Sequence, residues 1–239
     1  MNRFLSGLLA FAALALPGGA ACALEPFAAT YEAYYKGKLA GDASMRVTDS
    51  NPQYWQINLD IHGNRGVAGL LALNIDQSTA FSVEGDGHFR PLSQATTQRA
   101  IFRSKQAIGM YDWRTRKATW TGDLDEKRLA PIDLESRDQS ALLMNLAVIR
   151  DAAPGKSLRY RVVDLGRVRQ YDYTVAPERE LVEVDGLSYN AMRIARTNGG
   201  DRETVFWIAE GVPTPIRILQ RKDGQDDVDL RLIQYEGVQ

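Results

Sequence analysis

The sequence predicts an all-β chain with one main α-helix, its strands forming a curved antiparallel sheet that is half-barrel or barrel-like. Residues Trp55 to His62 alternate strictly, with Trp55, Ile57, Leu59 and Ile61 facing one way and Gln56, Asn58, Asp60 and His62 the other. A period of two marks a half-buried antiparallel strand. The pattern recurs along the chain, giving about a dozen short strands separated by turn residues. One stretch, Ser136 to Ala152, has helical spacing instead.

The chain opens with Met1-Asn2-Arg3, an apolar run from Phe4 to Leu16, the break Pro17-Gly18-Gly19 and the triplet Ala21-Cys22-Ala23. This is the layout of a cleaved secretory signal peptide over residues 1–23, and a run this short falls below the roughly 20 apolar residues that span hydrocarbon. Export to the periplasm is therefore expected. A lipid anchor on Cys22 is the alternative, but Gly19 stands where a lipobox needs an aliphatic residue. Cys22 is the only cysteine, so after cleavage the remaining chain has none and must be held by a packed core rather than disulfides.

Residues 24–239 then form a single β-rich domain, a length ample for one core. Strands are expected at Phe27 to Lys36, Ala43 to Asp49, Trp55 to His62, Ser78 to Val83, Leu92 to Phe102, Ala107 to Trp113 and Lys117 to Thr121. After the helix come Leu158 to Val163, Val168 to Val175, Leu181 to Val184, Leu187 to Arg196, Glu203 to Ile208, Ile216 to Arg221 and Val228 to Tyr235. Gly37 to Gly41, Asp185-Gly186, Asn198-Gly199-Gly200 and Asp223-Gly224 supply the positive φ that tight hairpins need. Short turns make sequential strands antiparallel neighbours.

The helix of 136–152 carries Leu142, Leu146 and Ile149 on one face, with Ser136 or Asp138 as its cap and Pro154-Gly155 as its stop. A second apolar piece, Val67 to Leu73, reads as a helical turn or an exposed loop. Strand twist accumulates in a sheet of this many strands until it curls. The helix is expected to plug or lid the concave side.

Charge and residue inventory exclude several chemistries. Loss of the leader removes Arg3 and no acid, leaving 28 basic and 30 acidic side chains, a balance that gives no field for nucleic acid. His62 and His88 are the only histidines and neither has metal-ligand spacing, so both read as solvated, and no metal or cofactor is expected. There is no G-x-S-x-G; Ser140, beside Asp138 and Gln139, reads as a first-turn helix residue rather than a nucleophile. Asp123, Asp125 and Glu126 are the densest carboxylates and the best candidates for glycoside hydrolysis, although solvated loops commonly look the same. The acidic run Asp223 to Asp229 places Gly224 too early for a calcium loop.

Six segments in order resemble a known family: Arg90-Pro91-Leu92-Ser93, Tyr111-Asp112-Trp113, Asp138-Gln139-Ser140-Ala141, Arg159-Tyr160-Arg161-Val162, Glu203 to Ala209, and Val212-Pro213-Thr214-Pro215-Ile216-Arg217-Ile218. Their order and spacing resemble the bacterial exported family called domain of unknown function 3108. The resemblance implies a signal peptide followed by one β-rich domain and brings no catalytic residues with it.

The expected role is a non-enzymatic periplasmic envelope protein whose curved sheet binds a hydrophobic, lipid-like ligand or a client segment. Trp55, Ile57, Leu59, Trp113, Leu142, Leu146 and Trp207 are the candidate ligand-lining residues, with plain core packing as the competing account. The alternative role is an assembly factor for an outer-membrane protein, working through an edge strand or loop. A polysaccharide or cell-wall hydrolase ranks last. A filled core under the helix favours the assembly factor over the ligand carrier.

Overall fold

The computed structural model describes residues 24–237 apart from 52, 67, 68, 70 and 71. Residues 1–23, where the expected signal peptide, its cleavage site and Cys22 fall, lie outside the described residues. Before the helix run β1 (Phe27–Tyr35), β2 (Lys38–Asn51), β3 (Tyr54–Gly63), β4 (Asn74–Val83), β5 (Phe89–Ala100), β6 (Arg103–Asp112), β7 (Lys117–Gly122) and the two-residue β8 (Ile132–Asp133). The helix α1 (Met144–Asp151) leads into β9 (Ser157–Asp164), β10 (Arg167–Val175), β11 (Glu180–Val184) and β12 (Leu187–Arg196). Strands β13 (Arg202–Ala209), β14 (Arg217–Lys222) and β15 (Gln225–Gly237) complete the chain.

All fourteen strands read from the alternating pattern are present, each within a few residues of its expected bounds, and β8 is added. Their hydrogen-bonded order is β8-β7-β6-β5-β4-β3-β2-β1-β15-β14-β13-β12-β10-β9, with β11 paired to β12. Every ladder is antiparallel, so the chain winds up and down and its first strand joins its last, with Tyr31 opposite Leu232. Hairpins turn tightly where the chemistry allows it. At Lys36-Gly37, Leu165-Gly166, Asp185-Gly186 and Asp223-Gly224 both central residues have positive φ, the conformation that matches strand twist.

The alternation sorts the faces as expected. Along β2, Ala43, Met45 and Val47 are buried while Ser44 and Arg46 are exposed. Outward Gln56 and Asn58 on β3 continue this polar exterior, the reverse of the apolar outer band of a lipid-spanning barrel. Among the described residues no helix is long and apolar enough to cross a membrane.

Inside, one cluster joins strands from both halves of the sheet to the helix. Tyr31, Met45, Ile57, Phe81, Ile194, Leu219 and Leu232 meet Leu142, Leu143, Met144, Leu146, Ala147 and Val148 there. The concave side is therefore filled by side chains, with the helix as its plug. Tyr31 is tied across it, its hydroxyl 2.5 Å from Thr214 Oγ1.

Three expectations need correction. The helix does not span 136–152: α1 begins at Met144, after turns at 141–143, and Leu143 occupies its N-cap without a side-chain bond. Residues 136–140 are withheld from it because Gln139 makes a parallel bridge to Val162 of β9, and a backbone committed to a strand cannot also close helical bonds. Ser140 Oγ instead accepts the Leu143 N–H at 3.3 Å. Second, β5 ends at Ala100, so Ile101 and Phe102 form a two-residue turn rather than extending the strand. Third, His88 is buried rather than solvated, whereas His62 is exposed. Within Val67 to Leu73, Gly69 is helical and Leu73 exposed; 67, 68, 70 and 71 lie outside the described residues.

Candidate functional site: the barrel seam

The sheet path ends at β8 on one side and β9 on the other, and these ends approach without a strand ladder. The segment between β8 and α1 closes the gap. Leu134 N–H donates to Arg116 O at 2.9 Å, on the β7 side. Five residues later Gln139 N–H donates to Arg161 O at 3.0 Å and Val163 N–H donates to Gln139 O at 2.9 Å, on the β9 side. Side chains bridge the same gap: Gln94 Nε2 on β5 donates to Asp164 Oδ1 at 2.8 Å.

Three consecutive residues then reach three different strands. Asp138 pairs with Arg161 of β9, and its Oδ2 also accepts the Glu135 N–H at 2.8 Å. Gln139 Nε2 donates to Phe89 O on β5 at 3.1 Å and lies against the His88 ring. Ser140 Oγ is 3.1 Å from Thr79 Oγ1 on β4. All three side chains are fully buried. Two segments that carry the family resemblance, Asp138 to Ala141 and Arg159 to Val162, thus meet physically at the seam.

A small core backs the seam, made of Tyr111, Ala118, Trp120, Leu134 and Val163. It is closely fitted. A Cβ on Gly109 would stand 2.5 Å from Trp120 Nε1, and one on Gly166 would stand 2.1 Å from Arg128 O.

The electrostatics fit a structural clasp. Burial raises the Asp138 carboxyl above its ordinary range despite the Arg161 bond, and burial likewise raises Asp164. Burial depresses His88, with Arg150 and Arg137 adding to the effect. Two buried acceptors, Asp138 Oδ1 and Gln139 Oε1, have no protein partner.

Outside the clasp lies a cleft of about 350 Å³ lined by Glu135, Ser136, Arg137, Asp138, Arg159, Arg161 and Gln170. It runs beside the outer edge of β9. Its arginines are each balanced by an acid: Arg137 by Asp86 at 3.2 Å, Arg159 by Asp172 at 2.8 Å, and Arg161 by Glu135 at 3.1 Å as well as by Asp138.

Of the residues expected to line a ligand surface, Trp55, Ile57, Leu59, Leu142, Leu146 and Trp207 share the main core cluster, all buried. Trp113 stands apart, packed on the seam core with its Nε1 donating to Pro91 O at 2.6 Å. Asp123, Asp125 and Glu126 are exposed on the loop into a short 3-10 turn, where Asp125 meets Arg128 at 3.3 Å. Asp138, expected as a helix cap, and Ser140, expected in the first helical turn, instead lie fully buried in the seam ahead of α1. The sequence reading missed Gln94, Tyr111, His88 and Gln139 as seam residues; scattered single polar groups on four elements carry no local pattern. Among the described residues no group of three or more His, Cys, Asp or Glu is placed to hold a metal.

Fold and seam together define a barrel-like protein: a nearly closed antiparallel sheet, filled inside, fastened by a polar clasp. The chain belongs to the family described as "Protein of unknown function (DUF3108)", which matches residues 30–231. No curated protein matches it. Among solved structures it is similar to a β-barrel-like protein of domain of unknown function DUF1849 from Brucella abortus, with a TM-score of 0.53 and 11% identity. That match covers 90% of this chain and 99% of the other. A DUF1089 family protein from Pseudomonas aeruginosa matches at a TM-score of 0.38 and 11% identity, over 88% of this chain and 95% of that one.

Proposed function

We propose that this is a non-catalytic exported envelope protein that takes up an extended client segment along the outer edge of β9. The observation that carries this reading is the seam itself. Strand β9 ends the sheet path, and among the described residues only one bridge, from Gln139 to Val162, meets its outer edge. An edge of this kind recruits a partner strand through backbone hydrogen bonds, while neighbouring side chains select it. Arg159 and Arg161 flank the edge in the cleft, able to exchange their present acids for those of a client. Asp138 is buried, with its Oδ2 engaged by Arg161 and the Glu135 N–H, which supports a structural tie rather than a catalytic carboxylate.

A filled interior favours this assembly-factor reading over a lipid carrier. The carrier reading keeps one supporting observation: six of its seven candidate residues share one apolar cluster in the interior that the seam closes. A ligand there has to displace side chains, so native mass spectrometry after gentle purification decides that point; bound lipid revives the carrier.

The edge reading is tested by a photo-crosslinking side chain at Arg159, with the same group at Gln56 on the outward face of β3 as control. Crosslinking in intact cells is expected to capture a polypeptide from position 159 and not from 56. Equal capture, or none at 159, overturns it.

A further inference from the structure

The β5–β6 hairpin ends in an exposed turn at one rim of the barrel. Up to Thr96 and Ala107 its strands alternate buried and exposed positions like the rest of the sheet. Beyond them, Gln98, Arg99 and every residue from Ile101 to Gln106 are exposed, on both faces of the ribbon. Strand β4 runs beside β5 as far as Asn74 opposite Arg99, so the part that projects past its neighbours is the last pair, Ala100 with Arg103, and the turn between them.

The apex is the pair Ile101-Phe102, and Phe102 is 98% exposed and Ile101 56%. An isolated exposed leucine or isoleucine is ordinary; an aromatic and an aliphatic together on one exposed turn are not. Residues 99–105 read Arg-Ala-Ile-Phe-Arg-Ser-Lys, three cations and no acid. Arg99 is paired with Asp76 at 2.7 Å, whereas Arg103 and Lys105 form no ion pair with any described residue. Leu73, also exposed, adjoins this end, because Asn74 at the start of β4 pairs with Arg99.

We propose that this hairpin docks the protein onto an anionic lipid bilayer, with Phe102 and Ile101 in the interfacial layer and Arg103 and Lys105 against headgroup phosphates. An apolar tip ringed by cations matches that surface on both counts: apolar side chains favour burial roughly 5–10 Å into the headgroup boundary, and nearby cations gain from anionic lipid. A turn at the rim that projects past the end of β4 can enter the headgroup layer while the polar barrel wall stays in water.

The purified protein is expected to float with vesicles of phosphatidylethanolamine and phosphatidylglycerol and to bind phosphatidylcholine vesicles more weakly. Replacing both apex residues, Ile101→Ser with Phe102→Ser, should lower vesicle partitioning by about tenfold or more. The circular dichroism spectrum and melting should be unchanged, because the apex touches no core. Arg103→Gln with Lys105→Gln should lower binding to the anionic vesicles about fivefold per charge and leave the phosphatidylcholine value in place. A Phe102→Trp variant should be quenched by brominated lipid. Failure of the parent protein to float, or equal flotation of the serine variant, overturns the proposal. So does capture of a protein through a crosslinker at 102 without vesicle binding, which makes the hairpin a protein contact. The β9-edge reading stands or falls separately, since it is read from position 159.

Discussion

The Tyr111 hydroxyl donates to the Val163 carbonyl at 2.6 Å, joining β6 to β9 across the one place where the barrel has no strand ladder. Gln94 Oε1 sits at the same 2.6 Å from that hydroxyl and Gln94 Nε2 holds Asp164, so one amide and one phenol fasten two strands to the far edge. Burial raises the phenol's pKa well above its usual value, so it remains a donor throughout the working pH range.

Tyr111→Phe keeps the ring and deletes this bond, leaving a buried carbonyl without its partner. A loss of about 1–3 kcal/mol in unfolding free energy is expected, measured by urea denaturation. Hydrogen exchange should rise first at Val163 and Gln139, ahead of β1 and β2. Uniform loss of protection across the sheet counts against a seam that opens locally.

Gly109→Ala tests the packing behind the seam. The added methyl meets the Trp120 indole at 2.5 Å, and the indole is wedged against Tyr111 with ring centres 5.8 Å apart. Overpacking should cost about 1–3 kcal/mol and shift tryptophan fluorescence, both read in one thermal melt. An unchanged midpoint means the indole moves freely.

Arg161→Met leaves Asp138 buried without its cation. Breaking a buried pair from one side costs about 3–5 kcal/mol, and the lower end applies because Arg161 is partly exposed. The double variant Asp138→Asn with Arg161→Met should recover part of that loss, since no bare charge remains. A double variant worse than the single one shows that the pair contributes more than its own neutralisation.

His88 sets a pH dependence. Its folded pKa is depressed, first by burial and then by Arg150 and Arg137, below the ordinary 6.5. The unfolded chain therefore binds the proton more readily, and stability is lost as pH falls from 6.5 toward the folded value. Asp138 and Asp164 act with the other sign: their folded pKa values are raised, so they gain stability as pH drops through those values. Comparing parent and His88→Gln by urea midpoints from neutral pH downward should show the parent losing stability more steeply just below 6.5. Parallel curves exclude His88 as the cause.

The alternation of Trp55 to Ile61, and of the strands like it, was legible because a half-buried strand writes its two faces directly into the sequence. Turn positions such as Asp185-Gly186 were legible for the same local reason. The helix boundary was not. Ser136 and Asp138 have the chemistry of caps, but a parallel bridge at Gln139 took that backbone first. The hairpin apex was misread too: Ile101 and Phe102 look like strand residues, and only their partner strand shows that the ribbon has already turned.

By itself, the sequence determined the fold class, the up-and-down order of strands, the presence of the main helix and the family resemblance, because each depends on periodicity or on residues near one another in the chain. Tertiary structure alone decided whether the barrel was hollow or filled, where its ends met, and which polar side chains were buried. Those outcomes depend on contacts between residues far apart in sequence, such as Gln94 with Asp164 and Ser140 with Thr79, and no local pattern encodes them.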